Sequence, residues 1–337
     1  MTVRIAINGF GRIGRASFKI ALDKGIEVVA INDLSDLESI AHLLKYDSAY
    51  GIYQKEVSYD DSHVIVDSKK YVVLSEKEPA KLPWKEYEVD VVLECTGRFV
   101  KDNAAKAHLE AGAKGVIVSA PTKGDNNDIQ TFLKGVNQDQ YLGQNAISNA
   151  SCTTNCVAPV THVIHKSFKV IKSAMTTIHA VTAEQNLVDG FPPPIHKDLR
   201  RARAAITNMI PTTTGAAIAT TKVIPELKDK FDGIAIRVPV LVGSLTDTTY
   251  LVEKKTTVEE VNQKFVEASE NSFYKGVIAV SDKPLVSSDI VGTTYSAIVD
   301  LNMTKVIDGD FVKVLAWYDN EWGYSHRLID MAQVISG

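Results

Sequence analysis

Apolar positions along the first half of the chain come in short runs that alternate with stretches of helical spacing. Val3-Arg4-Ile5-Ala6-Ile7 reads as a buried strand and runs into Asn8-Gly9-Phe10-Gly11-Arg12-Ile13-Gly14. A helical pattern follows to about Lys24, with Gly25 placed to cap it. The apolar run Ile26 to Asn32 predicts a second strand, ending at Asp33. Val64–Val66 and Tyr71–Leu74 predict short strands around a turn, and Val89–Cys95 a strand running into Thr96-Gly97. Helical spacing over about Asn103–Ala111 precedes another strand, Gly115–Ser119, stopped by Pro121. Strands alternating with helices predict a doubly wound, parallel α/β sheet, which binds ligands beyond the carboxyl ends of its strands.

The second half has a different rhythm. Ser148-Asn149-Ala150-Ser151-Cys152-Thr153-Thr154-Asn155-Cys156 offers almost nothing to a core, and a helix is expected to start within it, over about 152–166. Ser173–His179 reads as a strand. A long stretch without strong periodicity runs from Ala180 to about Met209, holding Phe191-Pro192-Pro193-Pro194 and the basic run His196–Arg203. Ile210–Ala216 is rich in hydroxyls and suited to capping a helix. Strands over 233–242, 246–253, 296–300 and 311–318, with a helix over Val258–Glu270 and a closing helix after Arg327, predict a second, mostly antiparallel α+β unit.

Composition narrows the class. With 337 residues, 45% of them hydrophobic and 23% charged, the chain is neither disordered nor fibrous and is long enough for two domains. The formal charge of −4 comes with no basic block, so neither nucleic acid nor an anionic membrane is an expected partner. No apolar run approaches membrane-spanning length, and Met1–Ile5 leads straight into a strand, so a soluble cytoplasmic protein is expected. Three cysteines build no disulfide framework.

Two stretches carry candidate chemistry. The Gly-x-Gly-x-x-Gly of Gly9, Gly11 and Gly14 sits between a strand and a helix, with an acid near the end of the next strand, a context that points to dinucleotide binding. Gly9 and Gly11 would permit a tight turn and close pyrophosphate approach at the helix start. Asp33 would accept hydrogen bonds from a ribose; its alternative role is that of a turn residue. In the second stretch, Cys152 at a helix start would be acidified by free N–H groups and the helix dipole. A Ser/Thr cap followed by two buried cysteines fits the same run. One Cys-x-x-x-Cys pair supplies only two ligands, so no metal site is expected.

Asn8–Gly14, Ser148–Cys156, His179, Pro211–Gly215 and Trp317–Arg327 together resemble the phosphorylating glyceraldehyde-3-phosphate dehydrogenases, over essentially the whole chain. The resemblance implies a Rossmann NAD-binding domain over 1–151, a catalytic domain over 152–319 and a C-terminal segment, 320–337, returning to the first domain. It implies NAD as cofactor, glyceraldehyde 3-phosphate and inorganic phosphate as substrates, and a homotetramer. By the same resemblance Cys152 is the nucleophile and His179 its base. Thr182, Arg201 and Arg237 lie near the two anions, with Ser151, Thr153, Thr214 and Gly215 supplying hydroxyls and N–H groups. Asn320 meets the nicotinamide amide, and Arg12, Ile13, Thr96, Gly97, Ser119 and Tyr324 match further cofactor contacts. Lys77 stands where the family commonly has an arginine, and Val188–Ile195 is longer than the family's loop. A related erythrose-4-phosphate dehydrogenase, which hydrolyses its thioester, and a non-catalytic dinucleotide-binding scaffold are the alternatives.

Overall fold

The computed structural model describes residues 2–192 and 198–336. The expected proline run at 193–194 and the basic residues His196 and Lys197 therefore lie outside the described residues. The chain divides into two compact units: the first takes the chain up to Leu133, Asn137–Ser151 and the stretch from Ser325, and the second takes Lys134–Val136 and Cys152–Tyr324.

Unit one is built on a nine-stranded sheet. Its strands are β1 (Arg4–Asn8), β2 (Glu27–Asn32), β3 (Val57–Tyr59), β4 (His63–Val66), β5 (Lys69–Leu74), β6 (Val91–Glu94), β7 (Gly115–Val118), β8 (Gln130–Thr131) and β9 (Ala146–Ser148), in spatial order β8-β9-β7-β6-β1-β2-β5-β4-β3. Pairing is parallel from β8 to β5 and antiparallel only at the β5-β4-β3 edge. The central strands are apolar because helices or loops cover both faces; Ile5, Ala6, Val92 and Leu93 are fully buried. Helix α1 (Arg12–Asp23) packs Phe18, Ile20 and Ala21 inward, and α2 (Leu37–Lys45) starts at Asp36, whose side chain accepts from Ser39 N–H. The expected helix over 103–111 is a 3-10 turn followed by the single α turn α3 (Ala107–Glu110).

Unit two begins with α4 (Cys152–Phe168), which packs on an eight-stranded sheet. Its strands are β10 (Val170–His179), β11 (Ile210–Thr213), β12 (Phe231–Arg237), β13 (Ser244–Val252), β14 (Ile278–Ser281), β15 (Ala297–Asp300), β16 (Lys305–Ile307) and β17 (Phe311–Tyr318). The order is β11-β12-β10-β13-β17-β15-β14, with β16 pairing β17. Most pairs are antiparallel; β10 with β12 and β14 with β15 are parallel. Helices α5 (Ala216–Val223), α6 (Val258–Glu270) and α7 (Ser287–Ile290) complete the unit. The hydroxyl-rich run at 210–213 is an edge strand, not only a cap, and Pro211 is tolerated there because an edge strand leaves one row of N–H groups unpaired.

The closing helix, α8 (Trp322–Ser336), belongs from Ser325 onward to unit one, where Asp330 holds Lys24 at 2.6 Å and Arg327 at 2.9 Å. No helix of the described residues is long and apolar enough to cross a membrane.

The turn from β1 into α1 is where glycine is required. Gly9 has φ +92°, and a Cβ there would lie 2.8 Å from Thr96 N. A Cβ on Gly14 would sit 2.1 Å from the Gly9 carbonyl oxygen, so helix and strand approach only without one. Gly14→Ala is therefore expected to destabilise the protein by about 1–3 kcal/mol in denaturant unfolding; unchanged stability would show that the turn opens freely.

Candidate active site

The carboxyl ends of β1, β2 and β6 surround a cavity of about 370 Å³ in unit one. Five residues singled out from the sequence line it: Gly9, Gly11, Asp33, Lys77 and Thr96. Asp33 accepts N–H groups from Phe10 at 2.6 Å and from Ser35 at 2.9 Å. Burial works to raise its proton affinity, but these donors outweigh burial and hold the carboxyl below its usual range. The cavity wall thus carries a fixed negative charge. Arg12, Ile13, Gly97 and Ser119 lie outside that lining. Arg12 pairs with Asp47 at 2.6 Å, and the Ser119 N–H donates to the Glu94 carbonyl at 2.9 Å.

In unit two, the parallel pairing of β10 and β12 sets His179 opposite Arg237, and α4 starts at Cys152. The Cys152 sulfur lies 3.4 Å from His179 Nε2. On the other side of the ring, Nδ1 is 2.6 Å from the Ala180 carbonyl, and in the tautomer that donates to that carbonyl the Nε2 lone pair faces the sulfur. The Arg237 guanidinium lies against the same Nδ1. Burial, reinforced by the Arg237 charge, pushes His179 down to about 3.

The sequence-based expectation of an acidified thiol does not hold in this structure. Burial raises Cys152, and the Arg237 charge and the Thr153 hydrogen bonds oppose that rise without reversing it. The helix start favours a thiolate, but removing the sulfur from water costs more. Burial thus works against charge on both partners, raising the thiol and lowering the imidazole. Cys156, four residues on, is fully buried against Thr246 and is pushed up to about 12 by that burial. Cys95 is likewise raised, by burial and by Glu94 beside it.

The two expected anion-binding arginines come together on one carboxylate. Arg201 Nη1 is 2.6 Å and Arg237 Nη2 3.3 Å from Glu184 Oε1. Arg201 also donates to Thr212 Oγ1 and the Thr213 carbonyl, both at 2.9 Å, and is 7% exposed, whereas Arg200 and Arg203 pair at the surface with Asp198 and Asp189. Thr182 Oγ1 and Arg237 Nε are buried with no partner among the described residues. Thr214 Oγ1 accepts the Ala216 N–H at 3.2 Å as Gly215 leads into α5. Ser151 is half-buried immediately before α4. The Thr153 hydroxyl lies 2.9 Å from Tyr318 Oη and 4.0 Å from the Cys152 sulfur. Asn320 is buried with Oδ1 accepting from Ser244 Oγ at 2.9 Å, and that hydroxyl oxygen accepts the Ala180 N–H at 3.0 Å. Tyr324 is buried.

Sequence reasoning missed two residues of this cluster. Glu184 lies two positions after Thr182, and an acid so close to an expected anion-contact residue was the available signal. Tyr318 packs edge-on against the His179 ring and links the Thr153 and Thr177 hydroxyls; as the last residue of an apolar strand it carried no signal.

A parallel sheet with a glycine turn and an ionised acid at the second strand end defines a dinucleotide-binding protein, and in unit two a half-buried thiol lies 3.4 Å from a buried imidazole. Comparison with known proteins supplies the family. Residues 3–102 match the family described as glyceraldehyde 3-phosphate dehydrogenase, NAD binding domain, and residues 151–320 match glyceraldehyde 3-phosphate dehydrogenase, C-terminal domain. The chain is 52% identical to glyceraldehyde-3-phosphate dehydrogenase of Geobacillus stearothermophilus over 339 residues, covering 100% of this chain and 99% of that one. It is 51% identical to the Streptomyces coelicolor protein of that name over 335 residues, 98% of each chain, and 48% identical to the Zymomonas mobilis protein over 336 residues, again 98% of each. The chain belongs to the glyceraldehyde-3-phosphate dehydrogenase family.

The depressed His179 makes a prediction about stability. Its folded value of about 3 lies below the ordinary 6.5, so between the two the unfolded chain binds more protons and folding weakens as pH falls. Wild-type stability in urea is expected to drop by up to ~1.4 kcal/mol per pH unit more steeply than that of His179→Asn on acidification below neutrality. Equal slopes would contradict a histidine held neutral.

Proposed function

We propose that the protein catalyses the NAD-dependent, phosphorylating oxidation of glyceraldehyde 3-phosphate to 1,3-bisphosphoglycerate, with Cys152 as nucleophile and His179 as its base. The observation that carries this is the 3.4 Å approach of the Cys152 sulfur to His179 Nε2, beside the buried Arg201 and the half-buried Arg237. The cavity of unit one fits a dinucleotide: its glycine turn admits close phosphate approach, and Asp33 offers an ionised acceptor to a ribose.

The thiol and neutral imidazole define how the first step runs. As the sulfur adds to the aldehyde carbon, Nε2 takes the thiol proton, so charge appears only while the carbon–sulfur bond forms. A substrate or attacking phosphate on Arg237 and Arg201 offsets the cationic charge that holds His179 low, and so makes the imidazole a better base once the ligand is in place. The orphan donors Thr182 Oγ1 and Arg237 Nε support anion binding there. NAD, when bound, supplies the two-electron acceptor that turns the hemithioacetal into a thioester. Inorganic phosphate then attacks the thioester carbonyl, releasing the acyl phosphate and returning the sulfur to His179.

The same proposal takes the chain as a cytoplasmic homotetramer. Unpaired cysteines suit a reducing compartment. Phe191 is 95% exposed, with Leu187, Val188 and Met209 also open, an apolar surface suited to meeting further copies of the chain.

The direct test follows NADH absorbance with glyceraldehyde 3-phosphate, with and without phosphate. Cys152→Ser is expected to lose turnover by several orders of magnitude while binding NAD, because a serine hydroxyl is un-ionised and a poor nucleophile. Cys156→Ser should retain most activity; comparable losses from both folded variants would sink the assignment.

Cofactor choice is tested separately. Asp33 places a negative charge where a 2′-phosphate would lie, so wild-type kcat/KM should favour NAD. Asp33→Ala should narrow that preference by about tenfold or more. A wild-type enzyme that prefers NADP would refute the placement.

A further inference from the structure

Behind the cavity of unit one lies a carboxylate that the reaction above does not use. Glu94 ends β6, and its side chain has no exposure. No lysine or arginine among the described residues pairs with it. Instead four donors surround it: Thr96 N at 2.8 Å and Thr96 Oγ1 on Oε1, and Asn8 Nδ2 at 2.5 Å and His108 Nε2 at 2.9 Å on Oε2. Both oxygens act only as acceptors, which is the pattern of an ionised carboxylate held by dipoles.

The proton positions are determined by one neighbour. Trp84 Nε1 can only donate, and it donates to His108 Nδ1 at 2.9 Å. The His108 proton must then sit on Nε2, where it points at Glu94. Trp84 and His108 are both fully buried, so water offers neither an alternative partner.

From Glu94 the chain of bonds crosses the sheet. Glu94, Asn8 and Asn32 lie in register at the carboxyl ends of adjacent strands β6, β1 and β2. With its amide nitrogen on Glu94, Asn8 turns Oδ1 to Asn32 Nδ2 at 2.6 Å, and Asn32 pairs with the backbone of Glu76 through both its amide atoms, each at 2.9 Å. On the other branch, Thr96 Oγ1 gives its proton to Glu94 and accepts the Arg98 N–H at 3.1 Å. Asn8, Asn32, Glu76, Thr96 and Arg98 all line the cavity.

We propose that Glu94, held ionised and oriented by His108 and Trp84, is the positioning residue that fixes three walls of the nucleotide cavity and so sets the affinity for NAD. It rests on the assignment of that cavity to NAD. Two otherwise separate loops, after β5 and after β6, and the turn after β1 depend on this one carboxylate for the direction of their hydrogen bonds. An amide in its place presents two donors to groups that are themselves donors. Asn8 relieves that conflict only by flipping, which turns its Nδ2 onto that of Asn32 and releases the Glu76 loop.

The test measures NAD affinity by isothermal titration, the KM for NAD, kcat and thermal unfolding. Glu94→Gln is expected to weaken NAD binding and raise its KM by about ten- to a hundredfold, with kcat at saturating NAD within about twofold. His108→Leu should behave like Glu94→Gln, and His108→Gln, whose amide can accept from Trp84 and donate to Glu94, should restore most of the affinity. A merely structural role would lower the unfolding temperature without moving the NAD dissociation constant. If Glu94→Gln does not fold, the His108 pair decides. Folded variants that bind NAD like wild type overturn the inference alone. Wild-type protein that binds no NAD overturns the cofactor assignment first.

Discussion

The active centre of this chain depends on keeping ionisable groups dry and close together. The buried His179 and Arg201 and the half-buried Cys152, Arg237 and Glu184 share a region where water only partly screens their charges. Their meeting is a matter of register. Parallel pairing puts His179 beside Arg237, antiparallel pairing with β13 brings Ser244 to the Ala180 amide, and β17 delivers Tyr318 to the hydroxyls at the start of α4. A slip of one residue in β10 would turn His179 to the other face of the sheet. The apolar alternation of these strands therefore does chemical duty as well as structural duty: it aims the imidazole.

The same burial works against charge on either partner of the Cys152–His179 pair. An ion pair of thiolate and imidazolium would require two charges in a site that already holds two guanidinium groups against one carboxylate. Glu184 balances only part of that positive charge, and what remains bears on His179 through Arg237. In the proposed reaction an anionic substrate completes the balance. Affinity for phosphate and basicity of the imidazole are in this way one electrostatic quantity, which is how binding energy from a remote phosphate reaches the reacting carbon. Unit one solves a related problem differently. Among the described residues no lysine or arginine pairs with Glu94; amide, imidazole, hydroxyl and backbone donors surround its carboxylate.

Much of this was legible in the residues themselves, wherever the determinant is local. The strand–glycine turn–helix at 3–24 and the acid at Asp33 depend on neighbours in sequence, and the hydroxyl- and thiol-rich run at 148–156 could serve few purposes other than a site. Phe311–Tyr318 could be bounded from its apolar alternation, and Trp317–Arg327 contributed to the family resemblance. What could not be read was set by partners far along the chain. The helix-start argument for an acidic Cys152 is sound locally and loses to desolvation by α4, β10 and β12 together. Ile278–Ser281 and Lys305–Ile307 are short edge strands with little periodicity, and Ile210–Thr213 hides a strand behind a proline. That Arg201 and not its neighbours turns inward follows from Thr212, Thr213 and Glu184, none of which is adjacent to it.

The central claim, that oxidation passes through an acyl group on Cys152 which phosphate then removes, can be tested by trapping. Wild-type protein is mixed with glyceraldehyde 3-phosphate and NAD in phosphate-free buffer, quenched in acid and digested for mass spectrometry. The peptide carrying Cys152 should gain a phosphoglyceryl group while the Cys156 and Cys95 side chains stay unmodified, and brief exposure to inorganic phosphate before quenching should remove it. NADH formation with no adduct on Cys152, or with an adduct on another residue, would contradict the account.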